Sequence, residues 1–149
     1  MKLLLLTGLI AFSLPAQEPG ERSVYLLPMA NGLDQYIAAS LTAAHVFQVV
    51  TDPKSADLIL TDQVGQDFEQ RMSVLYPDTT AKKDTSSEAR PSFKSSHRNG
   101  TLFLVDRKSR VVMWSDYEKP GNTSAPGLNR KAARVVKKLQ ESTQGAKRG

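Results

Sequence analysis

The sequence holds no cysteine. That excludes disulfide staples, thiolate metal centres, iron-sulfur clusters and every thiol nucleophile, so stability must come from an ordinary apolar core. Histidine is nearly as scarce: His45 and His97 are the only two. Neither has a Cys, a Glu or a second His at ligand spacing, which argues against a histidine-based metal site or general base. Aromatic residues make up 7 % of the chain and include one tryptophan. No serine lies in a Gly-x-Ser-x-Gly context, and neither common kind of glycine-rich phosphate loop occurs. Together these absences argue against an enzyme, and they imply no cofactor and no metal.

Long hydrophobic runs are also missing, apart from one at the start. Lys2 supplies a positive n-region, and Leu3 to Leu14 form an apolar stretch interrupted only by Thr7, Gly8 and Ser13. Leu14-Pro15-Ala16 then ends in a small residue suited to cleavage before Gln17, which is the pattern of a secretory signal peptide over residues 1–16. The run falls short of the roughly 20 apolar residues a spanning helix needs. No cysteine follows it to carry a lipid. The expectation is an exported protein, periplasmic or extracellular, with no transmembrane segment once the signal is removed.

Of the 149 residues, those left after cleavage suffice for one domain with a single core. The formal charge is +5, one unit of which is Lys2. A moderate positive balance favours acidic polymers, anionic lipid heads or nucleic acid as partners.

Ser23 to Met29 is a continuous apolar run that reads as a strand covered on both faces, stopped by Pro28. Asn31 is placed to cap a helix whose apolar stripe is Leu33, Ile37, Leu41 and Ala44. Val46 to Thr51 reads as a second strand, Asp52 to Ala56 as a turn, and Asp57 to Val64 as a third strand. The link between those two strands is too short for a crossover helix, so their pairing stays open. Phe68, Met72 and Leu75 repeat at helical spacing and predict a short helix. Residues 77–99 are mostly polar and charged and read as a mobile insertion. Two β-rich runs follow, Gly100–Asp106 and Arg110–Tyr117, joined by Arg107-Lys108-Ser109 as a hairpin. Ser124 then caps a last helix, with Pro126 in its first turn and Leu128, Ala132, Val135, Val136 and Leu139 as its stripe. That helix is expected to end near Ser142, leaving 143–149 as a basic disordered tail. The sum is an α/β fold over 23–142: a mixed sheet of about five strands with two main helices, opening strand-helix-strand-strand and closing hairpin-helix.

The segment Ser55-Ala56-Asp57-Leu58-Ile59-Leu60-Thr61-Asp62-Gln63-Val64 resembles the Ala-Asp-apolar strand of a group of exported α/β domains. The group comprises the TolB amino-terminal domain, the curli-secretion lipoprotein and the penicillin-binding-protein activator lipoprotein. Leu102–Asp106 followed by Ser109–Ser115 is similar to that group's hairpin, and the helix begun by Leu128-Asn129-Arg130-Lys131-Ala132-Ala133-Arg134 is similar in place and character. The chain departs from the group in lacking a lipid-attachment cysteine and in its long polar insertion. The resemblance implies a non-catalytic protein of the cell envelope that works by binding another protein.

The residues themselves nominate two surfaces. On a helical wheel Arg130, Lys131, Arg134, Lys137 and Lys138 fall together opposite the apolar stripe, a possible contact for anionic lipid or cell-wall polymer. Export and the lack of aromatics interleaved with these bases argue against nucleic acid. Trp114 and Tyr117 lie on opposite faces of one strand, so at most one enters the core and the other is a candidate interface aromatic. Asp52, Asp57, Asp62 and Asp106 fall at strand ends, where turn formation accounts for them better than a cation site. Asn99-Gly100-Thr101 and Asn122-Thr123-Ser124 match the N-glycosylation pattern.

Overall fold

Alternation along the strands sorts the apolar residues onto two faces, and each face recruits its own helix layer. The structure, a computed structural model, describes residues 22–77 and 100–146. The signal segment, the polar insertion from 78 onward with His97 and Asn99, and the last three residues lie outside the described residues. Five strands, β1 (Ser23–Leu26), β2 (Gln48–Val49), β3 (Leu58–Thr61), β4 (Thr101–Asp106) and β5 (Val112–Tyr117), form one mixed sheet in the order β2-β1-β3-β4-β5. Three helices pack on it: α1 (Leu33–Ala44), α2 (Gln66–Leu75) and α3 (Ala125–Ala146). The α/β fold read from the sequence is therefore the one observed.

Val24, Leu58, Leu60, Leu102 and Leu104 meet Ile37 and Leu41 of α1 and the α3 stripe in the larger core cluster. All five stripe residues of α3 are buried. On the opposite face Leu27, Ile59 and Val105 pack against Phe68 and Met72 of α2. Each fully buried aliphatic side chain contributes about 1.5–3 kcal/mol relative to exposure. The three-layer arrangement therefore rests on strands apolar on both sides.

β1 runs parallel to both β2 and β3, while β3–β4 and β4–β5 are antiparallel. This resolves the pairing left open by the sequence. β2 and β3 flank β1, and the link between them crosses through a short 3-10 turn, Pro53–Ser55, in place of a crossover helix. Val50 and Ala56 of that link pack into the α2 cluster, so it returns over the face opposite α1. Asp52 caps its 3-10 turn, accepting the Lys54 N–H at 3.0 Å.

Several boundaries differ from the sequence reading. Asn31 does not cap α1: it adopts φ 59° with no side-chain capping bond, and the cap position falls to Gly32 at φ 70°. The buried Asp34 carboxylate instead ties the turn from β1, accepting the Met29 N–H at 3.0 Å. The α3 helix does not end near Ser142 but continues through Ala146, so 143–146 are helical and not part of a disordered tail. Nothing between Ser142 and Gly145 breaks a helix strongly, and the Ser142 and Thr143 hydroxyls donate to the carbonyls three residues back. At the other end Ser124 caps as its chemistry predicts, its Oγ accepting the Gly127 N–H at 3.4 Å.

Candidate functional site

The cations of α3 do not form one free face. Glu118, just past β5, is buried, and its Oε2 accepts from Arg134 Nε at 3.3 Å and Nη2 at 3.2 Å. Its Oε1 accepts from Lys138 Nζ at 2.9 Å, and the same ammonium reaches Asp116 Oδ2 at 2.7 Å. Burial by itself would raise the Glu118 pKa, but the hydrogen bonds from Lys138 and Arg134 outweigh it and hold it below the usual range. Asp116 and Glu118 likewise push Lys138 up. Lys131 is half-buried, and its Nζ donates to the Glu118 backbone carbonyl at 3.4 Å. Burial lowers its pKa against the pull of Glu118. Arg130 and Lys137 remain exposed, with no ion pair among the described residues.

Trp114 packs partly buried against the larger core cluster, whereas Tyr117 is 60 % exposed. The two aromatics thus separate as their spacing requires. At the other end of β5 lies further exposed apolar surface: Val111 at 54 %, Val112 at 44 % and Met113 at 54 %. β5 is one edge of the sheet, and the register shift opposite Leu104 and Val105 makes Met113 the extra residue of a bulge. The other edge, β2, is two residues long and offers little unpaired backbone. Edge strands are commonly protected by lysine, proline or a bulge. β5 has neither lysine nor proline between Val112 and Tyr117, and its bulge at Met113 lies near its start, away from Ser115 and Tyr117.

The polar pattern of this edge follows from one hydrogen bond. Glu118 N–H donates to Gly100 O at 2.8 Å, so the amides of Asp116 and Trp114 also face β4, while those of Ser115 and Tyr117 point outward. At the start of the strand the 107–110 turn is held by Asp106, whose Oδ1 accepts from the Lys108 and Ser109 amides at 3.1 and 2.9 Å. Those bonds lower the Asp106 pKa, assisted by Arg22 at 2.9 Å. Arg107 stacks over Tyr76 at 5.1 Å and Arg110 over Phe68 at 6.0 Å, which fastens the turn to α2. Lys108 stays exposed.

A cavity of about 440 Å³ opens beyond the carboxyl ends of β1 and β3, between the first turns of α1 and α3. Open α/β sheets place ligands at this end of their parallel strands. Met29, Leu33, Leu102 and Leu128 give it an apolar lining, and Arg130 and Lys131 stand on its α3 wall. Asp62 also lines it, with one carboxylate oxygen buried and unpartnered. Burial raises the Asp62 pKa, against the lowering effect of the Ala30 amide. Gly100 at φ 75° and Gly127 shape the rim: a Cβ on either would meet Glu118 O at 2.2 Å or Asn122 O at 2.5 Å.

The four strand-end aspartates do not converge. Asp52 and Asp106 organise turns, Asp57 Oδ2 accepts the Ser23 N–H at 3.1 Å, and Asp62 lines the cavity. Among the described residues no group of three or more His, Cys, Asp or Glu gathers as a metal site. His45 ends α1, exposed, in a left-handed conformation at φ 51°. No helix among the described residues is long and apolar enough to cross a membrane. No family model, no curated protein and no solved structure matches the chain.

Sequence reasoning missed both the cavity and the Glu118 cluster. Glu118 sits in a run of polar turn residues, and only the turn geometry shows that it points back under α3. The cavity is built from four separate segments, which read alone as strand ends, a loop or a helix start.

Proposed function

We propose that this chain is an exported, non-catalytic module of the cell envelope that binds another envelope protein, taking an extended segment of that partner along β5. The observation that carries the reading is the open β5 edge: exposed Val112, Met113 and Tyr117 beside outward-pointing amides at Ser115 and Tyr117. Strand addition uses these two ingredients, backbone hydrogen bonds for affinity and alternate side chains for specificity. The partner segment has apolar residues at alternate positions and an acidic residue near the 107–110 turn, where exposed Lys108 supplies the complementary charge. The resemblance to exported protein-binding domains and the signal-like amino terminus point the same way.

The alternative, adhesion to anionic lipid or cell-wall polymer through α3, has less support. Arg134 and Lys138 are committed to Glu118 and Asp116, and Lys131 to a carbonyl, which leaves Arg130 and Lys137 as a thin patch.

A photo-reactive residue at Met113 or Tyr117 of the exported protein, crosslinked in its native envelope, tests the proposal. The expected product is one partner protein, captured at both positions and lost in Ser115→Pro, which removes an outward amide while leaving the β4 ladder paired. Capture that persists in Ser115→Pro, or that moves to positions 130 and 137 of α3, would overturn it.

A further inference from the structure

We propose that the cavity between the first turns of α1 and α3 binds a small carboxylate, its acid group on Arg130 and Lys131 and its apolar body over Met29, Leu33, Leu102 and Leu128. At about 440 Å³ the cavity falls within the usual range for small-ligand sites. Its composition is the usual one as well, an apolar lining with a few polar groups, and the one carboxylate among them, Asp62, has a pKa raised by burial, which lessens its repulsion of an anion. None of those lining residues belongs to the exposed β5 edge, so this site is independent of the partner surface proposed above.

The two cations differ from their neighbours on α3 in a way that favours a ligand. Arg134 and Lys138 already hold carboxylates of this chain, whereas Arg130 has no ion pair among the described residues. Lys131 is half-buried with only a carbonyl at 3.4 Å. A partly desolvated ammonium with no carboxylate at ion-pair distance is a poorly compensated charge: burial disfavours its charged form, Arg134 adds to that, and the attraction of Glu118 offsets it only in part. An incoming carboxylate would compensate it, and a guanidinium one position earlier on the same turn offers the paired donors that suit carboxylate geometry. The wall carrying both residues is fixed, because Lys131 bonds to the Glu118 carbonyl while the Glu118 side chain is held by Arg134 and Lys138. Gly127 allows the Asn122 backbone to close against α3, which sets the rim.

A carboxylate on an apolar body can be a free organic acid or the carboxyl terminus of a peptide. The full-length exported protein, isotope-labelled, would be titrated with hexanoate, hexanamide, an N-acetylated apolar tripeptide with a free carboxyl terminus, and the same tripeptide amidated. Shifts confined to cavity residues with one or both acids, and at least tenfold weaker with the matching amides, are expected. Hexanoate alone would mark the ligand as a free acid, and the tripeptide acid alone as a peptide terminus. Arg130→Gln should weaken the preferred acid about tenfold. Lys131→Gln should weaken it similarly with the fold verified by melting, and Lys137→Gln should leave it unchanged. The proposal is overturned if neither acid shifts cavity residues at about 1 mM, if acids and amides bind alike, or if Arg130→Gln binds as the native protein does.

Discussion

Replacing Glu118 by alanine tests how much of the fold depends on the ion cluster beneath α3. The carboxylate is buried and receives donors from Arg134 and Lys138, so its removal strands two cations at once. Breaking a fully buried pair costs about 3–5 kcal/mol. Here both cations are roughly half exposed and can turn to water, and Lys138 keeps Asp116 at 2.7 Å. The discounted expectation is about 1.5–3 kcal/mol. For a domain of this size that is a fall in melting temperature of roughly 6–12 °C at pH 7. The pH dependence supplies the sharper test. The folded-state pKa of Glu118 is depressed, so its contribution is present above the unfolded value, near 4.5, and is lost as pH falls through the lower folded value. The gap between native and Glu118→Ala melting temperatures should therefore narrow steadily as pH falls below the unfolded value near 4.5. A loss under about 0.5 kcal/mol at pH 7, or a difference that does not shrink in acid, would refute the cluster's role.

Other substitutions read other parts of the structure. Gly100→Ala forces a positive φ on a side chain and drives its Cβ to 2.2 Å from Glu118 O, and denaturant titration should show a loss of at least about 2 kcal/mol. Met72→Ala empties a fully buried position under α2, with an expected cost of about 2–5 kcal/mol by the same measurement. Asp62→Asn should raise the melting temperature at neutral pH, because burial raises the folded pKa of this acid and its ionised form destabilises the fold. That gain should fade as pH falls through the raised folded value and vanish below the unfolded value near 3.8, where both states are protonated. Tyr117→Ser should change stability by less than about 0.5 kcal/mol while weakening capture of the partner protein in the crosslinking assay.

The architecture was legible wherever burial imposes a period. The stripes of α1, α2 and α3 could be read from spacing because each helix offers one face to a sheet, and the β4–β5 hairpin because its turn is short and polar. Boundaries were less legible. Val46 to Thr51 has strand composition throughout, yet pairing stops after Val49 because β2 borders only the first residues of β1. Asn31 has capping chemistry, but the chain enters α1 through two successive left-handed residues, and the cap position passes to Gly32. Charge was the least legible feature. The helical wheel groups five cations of α3, but their carboxylate partners, Asp116 and Glu118, lie about 20 residues earlier in the chain. A wheel drawn on one helix cannot show them.

The same partners explain how β5 stays ordered while exposing so much apolar surface. Exposed edge strands are prone to fray or to pair with other chains. β5 is held from one side only: Trp114 packs partly buried against the larger core cluster, Asp116 meets Lys138, and Glu118 anchors the strand's exit. These contacts use the residues that face α3, which are also those whose amides pair with β4. Ser115 and Tyr117 are left with their side chains on the opposite face and their amides turned outward. The division follows directly from the two-residue period of a strand. Under the proposed role, structural and binding requirements fall on alternate residues of one segment, so substitutions at Ser115 and Tyr117 should alter partner capture without loosening the ion cluster. The same division also predicts that damage to Glu118 would reach the edge indirectly, by releasing the end of β5 that presents Tyr117.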